Sequence, residues 1–162
     1  MDMSDKKFWG DKPYFSLDHY LKQTFGEKVY RLSLNGGMTC PNRDGTLDSR
    51  GCIFCSGGSG YFTAPPEISV QNQINAELAR LRRKDKSARA IAYFQAHTNT
   101  YASPARLQFL YEQALACEGI AGISIATRPD TLPDAVLDLL SELARRTALT
   151  VELGLQTIHE AT

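Results

Sequence analysis

The chain has 162 residues, of which 43% are hydrophobic and 22% are charged, as in an ordinary globular domain with a core. Lysine and arginine total 18, as do aspartate and glutamate, so the net charge gives no sign of a polyanionic partner, although one face can still be basic. Residues 1–10 are charged and contain no hydrophobic run of the signal-peptide kind. We therefore expect a cytoplasmic protein that does not enter a membrane.

Strand and helix patterns alternate along the chain. The first helix is predicted at residues 16–25, and the alternating residues of 28–34 predict the first strand. Ser103 followed by Pro104 is typical of a helix start, with a hydroxyl cap and a proline in the first turn. The later elements are predicted, in chain order, at residues 69–84 (helix), 88–95 (strand), 103–117 (helix), 120–126 (strand), 132–146 (helix) and 150–155 (strand).

This alternation predicts an α/β fold in which helices join parallel strands through right-handed crossovers. Unusual polar residues follow every predicted strand: a cysteine-containing loop after the first, then residues 95–101, 127–130 and 156–159. In a parallel barrel, the segments that follow the strands lie at one end, where such folds carry their active sites. We therefore expect a partial (β/α) barrel with one composite site.

The predicted architecture ends after four strands. Four parallel strands do not close a barrel, and the last of them would present an unpaired edge. Residues 150–155 are apolar enough for an interior strand, and residues 159–162 resemble the start of a further helix. We expect that the chain is a fragment of a longer protein or that a partner covers the fourth strand.

Cys40, Cys52 and Cys55 stand in a C-x11-C-x2-C arrangement within a single loop. Three thiolates close together suit an iron–sulfur cluster or a zinc ion, and a structural site of either kind usually takes four protein ligands. A set of three therefore predicts a metal position left open for chemistry. Phe54, between the last two cysteines, is a candidate for shielding a cluster or stacking on an adenine. Residues 42–44 are expected to shape the loop through side-chain–backbone turns.

Two other interpretations of the cysteines stay open. A structural zinc site would need a fourth ligand, for which His97 and Cys117 are the candidates, but the C-x2-C knuckle that zinc sites use in pairs is present once. Cys117 closes a predicted helix, where a cysteine is more often a small buried hydrophobic residue. A disulfide leaves one of three cysteines unpaired and needs an oxidising compartment. The spacing favours a catalytic cluster over zinc, and zinc over a disulfide.

Five segments give the chain a resemblance to the radical S-adenosylmethionine (SAM) superfamily. They are, in chain order, FGEKVYRLSLNGGMTCPNRDGT, GCIFC, YFQAHTNTY, ATRPD and VELGLQT. The general superfamily motif is C-x3-C-x2-C, and the wider first gap here resembles the branch related to the catalytic subunit of elongator, in particular bacterial proteins of the YhcC/YtqA type. The resemblance implies an N-terminal extension with a helix (1–27) and the first half of a radical SAM partial (β/α)6 barrel (28–162).

The resemblance also implies a mechanism. Cys40, Cys52 and Cys55 would ligate a 4Fe–4S cluster whose fourth iron binds the amino and carboxylate groups of SAM. An electron from an external donor would then cleave the sulfonium C–S bond, giving methionine and a 5′-deoxyadenosyl radical. The elongator-like branch makes modification of wobble uridines in tRNA the leading expectation. With half of the barrel absent, the chain alone is expected to turn over substrate poorly.

The remaining cofactor contacts are expected from their positions in the fold. Thr127 and Arg128 would bind the SAM carboxylate or ribose, since the planar guanidinium suits a carboxylate, and Glu152 would accept hydrogen bonds from the ribose hydroxyls. Each has a structural alternative: Arg128 pairs with Asp130, or Glu152 pairs with Arg128 inside the barrel. The full set of candidates, besides Phe54, is Gln95, His97, Asn99, Thr127, Arg128, Glu152 and Gln156.

Overall fold

The computed structural model of the chain describes residues 9–55, 62–154 and 158–159. Four parallel strands form one sheet in chain order, so the predicted α/β alternation is confirmed. The strands are β1 (Val29–Leu34), β2 (Arg89–Phe94), β3 (Ile120–Thr127) and β4 (Ala148–Leu153). The helices are α1 (Leu17–Phe25), α2 (Val70–Arg82), α3 (Pro104–Leu115) and α4 (Asp134–Arg146).

Strand β4 begins at Ala148 rather than at the predicted residue 150. Ala148 pairs with Gly122 of β3, and Leu149 pairs with the next residue along β3. The amide of Thr147 closes α4 by donating to the carbonyl of Leu143 at 3.0 Å, so the helix passes directly into the strand. Pairing with β3 therefore recruits two residues that the local pattern assigns to a loop. The predicted end at Leu155 lies outside the described residues.

Serine caps fix the starts of three helices. The side chains of Ser16, Ser69 and Ser103 each accept a hydrogen bond from the amide three residues later, which satisfies one of the free donors in the first helical turn. Helix α1 ends at Gly26, whose φ of 73° is a left-handed conformation that glycine adopts without steric cost. These local signals explain why the helix starts follow the sequence prediction closely.

One face of the sheet carries the main hydrophobic core. Helices α2, α3 and α4 pack on this face, and its apolar residues are buried with theirs. At its centre Phe94 meets Tyr111 edge to face, with ring centroids 5.2 Å apart. The core residues from the strands are Leu32, Leu34, Ala90, Ala92, Phe94, Ile123 and Ile125, and those from the helices are Val70, Ile74, Leu78, Leu107, Leu110, Tyr111, Ala114, Val136, Leu140 and Leu143.

The opposite face of the sheet, which we call the open face, changes character along the strands. Near the amino ends of the strands, Leu21 of α1 packs against Val29 and Ile91 and closes that end with apolar surface. One pleat repeat further along, Arg31 and Tyr93 project from the same face, because alternate residues of a strand share a side. The open face is therefore apolar at the amino end and polar toward the carboxyl end.

Strand β4 lies at the edge of the sheet. It pairs with β3 on one side, and within the described residues no strand pairs with its other side. Two apolar side chains of β4 are exposed, Val151 by 36% and Leu153 by 51%. An edge of this kind offers unpaired backbone groups to another strand.

No helix in the described part of the chain has the length and the hydrophobicity that crossing a bilayer requires.

The close approach of β3 and β4 gives a test of the sheet. A Cβ atom on Gly122 would lie 2.6 Å from the backbone oxygen of Ala148, which cannot move without disturbing the strand pairing. We expect Gly122→Ala to lower the free energy of unfolding by more than about 2 kcal/mol in urea titrations followed by circular dichroism. Gly36→Ala is the control, since its Cβ would lie 3.4 Å from the Phe94 ring in ordinary contact. Equal losses in the two variants would contradict the close approach.

Candidate functional site

A cavity of about 740 Å³ lies at the carboxyl ends of the strands. All four strand ends contribute to its lining, as the sequence predicts for a composite site: the cysteine loop follows β1, Gln95 and His97 follow β2, and residues 126–130 come from the end of β3. The fourth contribution comes from Glu152 and its neighbours in β4. Gln156, the candidate predicted to follow β4, lies outside the described residues.

Backbone hydrogen bonds fold the cysteine loop back on itself. The amides of Arg43 and Asp44 donate to the carbonyl of Cys40 at 2.8 and 3.1 Å, which forms a tight turn directly after the first cysteine. The amide of Gly51 donates to the carbonyl of Asn42 at 2.7 Å and so returns the chain to the start of the loop. The eleven residues between Cys40 and Cys52 therefore form a compact loop, and both cysteines reach the cavity.

The three cysteines line this one cavity together. Each of the three is partly exposed and carries a free thiol. These three cysteines therefore form no disulfide in the structure. Within the described residues, no three histidine, cysteine, aspartate or glutamate side chains are grouped closely enough to hold a metal ion. The donor set of Cys40, Cys52 and Cys55 fits a thiolate-ligated iron–sulfur group in its chemistry. Completing one coordination shell requires the thiols to draw closer together.

Two of the sulfur atoms accept hydrogen bonds from neighbours in the loop. Asn42 Nδ2 donates to Cys52 Sγ at 3.0 Å, and Arg43 Nη2 donates to Cys55 Sγ at 3.6 Å. Arg43 Nη2 also donates to the carbonyl of Cys55 at 3.2 Å. The sequence predicts residues 42–44 to shape the loop through turns, but the contact of Asn42 and Arg43 with sulfur follows only from the folded loop.

Cys117 lies at the other end of the sheet, since its carbonyl accepts from the amide of Ile120, where β3 begins. Its thiol is buried, donates to the carbonyl of Gln113 at 3.3 Å, and has its pKa raised by that burial. The strands separate it from the cysteine loop, which follows β1. The prediction of a small buried hydrophobic residue is confirmed, and Cys117 is excluded as a fourth ligand.

His97 lines the cavity from the loop after β2, with a left-handed φ of 63° that a residue with a side chain seldom adopts. Burial, and secondarily the positive charge of Arg43, lower the pKa of His97. Both effects favour the neutral imidazole, which is the form that ligates metals. His97 therefore stays the histidine candidate for a fourth ligand.

Arg128 is held by Asp130 through two hydrogen bonds, Nε to Oδ1 at 2.8 Å and Nη2 to Oδ2 at 2.6 Å. The sequence alternative that Arg128 pairs with Asp130 is confirmed. This pairing, and to a lesser extent the nearby thiol of Cys40, raise the pKa of Arg128, whereas Arg128 lowers the pKa of Asp130. The guanidinium thus stands at the cavity wall with one edge already bound to a carboxylate.

Thr127 precedes Arg128 in the chain, and its hydroxyl belongs to a buried cluster of three threonine hydroxyls. Its Oγ1 shares hydrogen bonds with the hydroxyls of Thr100 at 2.5 Å and Thr131 at 3.1 Å, and Thr131 Oγ1 also donates to the Arg128 carbonyl at 3.0 Å. Residues in such a cluster fix the path of the backbone between them. Thr127 therefore supports the loop that carries Arg128, and its hydroxyl is already engaged.

Glu152 projects from β4 onto the open face, but its partner is not Arg128. Arg31 Nη2 donates to Glu152 Oε1 at 2.7 Å, and Ser124 Oγ donates to the same oxygen at 2.8 Å. Tyr93 Oη donates to Oε2 at 3.1 Å, and the Arg31 guanidinium stacks 3.7 Å from the centre of the Tyr93 ring. The alternative that paired Glu152 with Arg128 is wrong, because β1 and β2 present closer donors on the same face.

The other three candidates differ in their placement. Phe54 lines the cavity and is 64% exposed, so its ring is accessible. Gln95 also lines the cavity, and its Oε1 accepts from Ser33 Oγ at 3.3 Å. Asn99 is not brought to the site, since it is fully buried and its amide donates to the backbone carbonyls of Phe94 and Ala126. Asn99 fastens the loop after β2 to the ends of β2 and β3.

Sequence reasoning missed Arg31, Tyr93 and Ser124, which hold Glu152 on the open face. A signal for them exists in the alternation of the strands. In β1 and β2 the polar or charged residue stands two positions from an apolar one of the same face, Arg31 after Val29 and Tyr93 after Ile91. Assigning faces strand by strand would have placed all three beside Glu152.

Comparison with known proteins gives relatives of about twice this length. The chain is 49% identical over 153 residues to the uncharacterized protein YtqA of Bacillus subtilis, covering 94% of this chain and 48% of that protein. It is 44% identical over 143 residues to the protein YhcC of Escherichia coli K12, covering 88% and 45%. It is 30% identical over 149 residues to the uncharacterized protein MJ0486 of Methanocaldococcus jannaschii, covering 88% and 44%. No family model matches the chain.

The chain thus spans about half the length of the curated relatives it matches. YtqA and YhcC are the proteins whose type the cysteine loop and the strand-end segments resemble. The names of YtqA and YhcC state no activity.

The network around Glu152 can be tested against a surface pair of the same kind. Glu152→Gln removes the charge that Arg31 contacts and disturbs two further donors, so we expect a loss of about 1–2 kcal/mol in the free energy of unfolding. The control is Glu27→Gln, which breaks an exposed pair with Arg89 at 2.8 Å and should cost at most about 0.5–1 kcal/mol. Urea unfolding measures both, and a smaller loss for Glu152→Gln than for Glu27→Gln would contradict the network.

Proposed function

We propose that Cys40, Cys52 and Cys55 hold a 4Fe–4S cluster and that the adjoining cavity binds SAM, as in a radical SAM enzyme. The observation that carries this proposal is that three thiols from one loop line a single cavity together with an arginine, a carboxylate and an exposed aromatic ring. Such a cluster, when bound, supplies the electron for reductive cleavage of the sulfonium C–S bond of SAM.

The residues around the cavity have side chains suited to the groups of SAM. Phe54 offers an exposed ring for stacking on the adenine. Glu152 keeps its carboxylate fixed by three donors, and remaining lone pairs can accept from ribose hydroxyls. Arg128 is the candidate for the amino-acid carboxylate, although Asp130 occupies one edge of its guanidinium.

The substrate is proposed from the same resemblance. Members of the elongator-like branch modify wobble uridines, and this makes tRNA the leading candidate, with an external protein or small molecule donating the electron. The chain covers less than half of YtqA, YhcC and MJ0486, so residues that choose a substrate can lie in the part of such proteins that this chain does not match.

A zinc site is the second candidate, and one observation favours it. His97 lines the same cavity as the three cysteines, and its lowered pKa keeps the imidazole in the ligating form. Cys40, Cys52, Cys55 and His97 would then form a closed structural site without an open position. Metal analysis separates the candidates: iron with acid-labile sulfide supports the first, whereas stoichiometric zinc after anaerobic purification with ample iron supports the second.

Anaerobic reconstitution with iron and sulfide tests the cluster directly. We expect the reduced chain to give an electron paramagnetic resonance (EPR) signal that changes on addition of SAM, because SAM would bind to the iron that no cysteine ligates. Cys52→Ala should abolish both the signal and the cleavage of SAM while keeping the helical circular dichroism. Cys117→Ser is the matched control and should leave the iron content unchanged, since Cys117 is buried at the far end of the sheet.

Retained SAM cleavage in Cys52→Ala would refute the assignment of that thiol as a ligand. A large fall in iron content in Cys117→Ser would instead show that Cys117 takes part in metal binding. Zinc bound in place of iron, with no reduced EPR signal, would favour the structural site.

A further inference from the structure

The cysteine loop carries its own hydrogen-bond donors to sulfur. Asn42 Nδ2 lies 3.0 Å from Cys52 Sγ, and Arg43 Nη2 lies 3.6 Å from Cys55 Sγ. Both donors stand in the turn after Cys40, and both acceptors stand at the loop's far end. The two halves of the loop therefore meet through N–H to sulfur contacts, and one of the donors is a cation.

The position of Arg43 depends on the residue that faces it. Gly51 has a φ of 77°, and a Cβ atom there would lie 3.1 Å from Arg43 Cζ and 3.2 Å from Nε and Nη2. Because Gly51 carries no side chain, the guanidinium of Arg43 has room beside it, and Arg43 Nη2 also reaches the carbonyl of Cys55 at 3.2 Å. Arg43 is thus fixed on two sides rather than free to sample solvent.

The third cysteine, Cys40, lines the cavity opened by the loops together with a cation from another loop, Arg128. Arg128 and Cys40 line the same cavity, and Asp130 fixes the Arg128 guanidinium through two hydrogen bonds of 2.8 and 2.6 Å. The hydrogen bonds to Asp130 use Nε and Nη2 of Arg128 and do not involve Nη1. Cys52 and Cys55 therefore each accept a hydrogen bond from a donor of their own loop, and Cys40 shares the cavity with Arg128.

We propose that Asn42 and Arg43 are positioning residues that set the reduction potential of the group held by Cys40, Cys52 and Cys55. This inference rests on the proposed function. Hydrogen bonds to the sulfurs and nearby positive charge are among the factors that tune such potentials. On reduction, one electron arrives from an external one-electron reductant and no covalent bond forms or breaks, so the group becomes more negative by one charge. Donors to sulfur stabilise that added charge.

The test is a redox titration of the reconstituted full 162-residue chain, followed by EPR. Arg43→Gln removes the cation beside Cys55, and we expect the equilibrium constant for reduction to fall about tenfold, which lowers the midpoint potential by about 59 mV for one electron. Asn42→Leu removes a neutral donor from Cys52 and should lower the potential by a smaller amount. Arg43→Lys keeps the charge and should recover part of the shift.

Arg50→Gln is the matched control, because Arg50 belongs to the same loop, is exposed, and pairs with Asp48 rather than with a cysteine. It should leave the midpoint potential unchanged. Iron content is measured first in every variant, so that loading and potential are separated.

Three outcomes would overturn the inference. Unchanged potentials in fully loaded Arg43→Gln and Asn42→Leu would refute the tuning role and leave the proposed cluster intact. Loss of iron uptake in both variants, with normal uptake in Arg50→Gln, would make Asn42 and Arg43 structural supports of the loop. A wild-type chain that takes up no iron would overturn the proposed function together with this inference.

Discussion

The four strands β1, β2, β3 and β4 pair in parallel and in chain order. Every segment that follows a strand therefore lies at the same end of the sheet, where the strands have their carboxyl ends. The position of the candidate site follows from this constraint, since four segments distant in sequence meet around one cavity. Helices α2, α3 and α4 cover one face of the sheet with a continuous apolar core. Within the described residues, the same pairing leaves the outer edge of β4 without a partner strand.

The open face of the sheet contributes Tyr93 and Glu152 to the lining of the cavity. Apolar contact between Leu21 and the amino ends of β1 and β2 closes one end, and further along the same face Arg31 pairs with Glu152, which lines the cavity. A charge in a partly buried position costs free energy unless it is paired and hydrogen-bonded, and Glu152 meets both conditions through Arg31, Tyr93 and Ser124. Its carboxylate therefore has a fixed orientation before any ligand arrives.

The cysteine loop is ordered by its own backbone more than by the sheet. Its turns return Cys52 to the neighbourhood of Cys40, and Asn42 and Arg43 connect the two halves through the sulfurs. The thiols nevertheless do not converge on one point within the described residues. Ligand binding would supply the energy that draws them together, since metal affinity and the ordering of a site are coupled. The loop thus provides the donors and their polar surroundings, and the proposed cluster would complete the geometry.

The sequence by itself determined the order and type of the elements, the three grouped cysteines, and the convergence of polar segments at one edge, because capping, periodicity and parallel connections are local or topological rules. Tertiary structure decided which side chains meet. Glu152 pairs with Arg31 rather than Arg128, and Asn99 fastens a loop instead of facing the cavity, because strand register and loop path set the distances. The early start of β4 has the same origin, since pairing with Gly122 is a contact that no local pattern encodes.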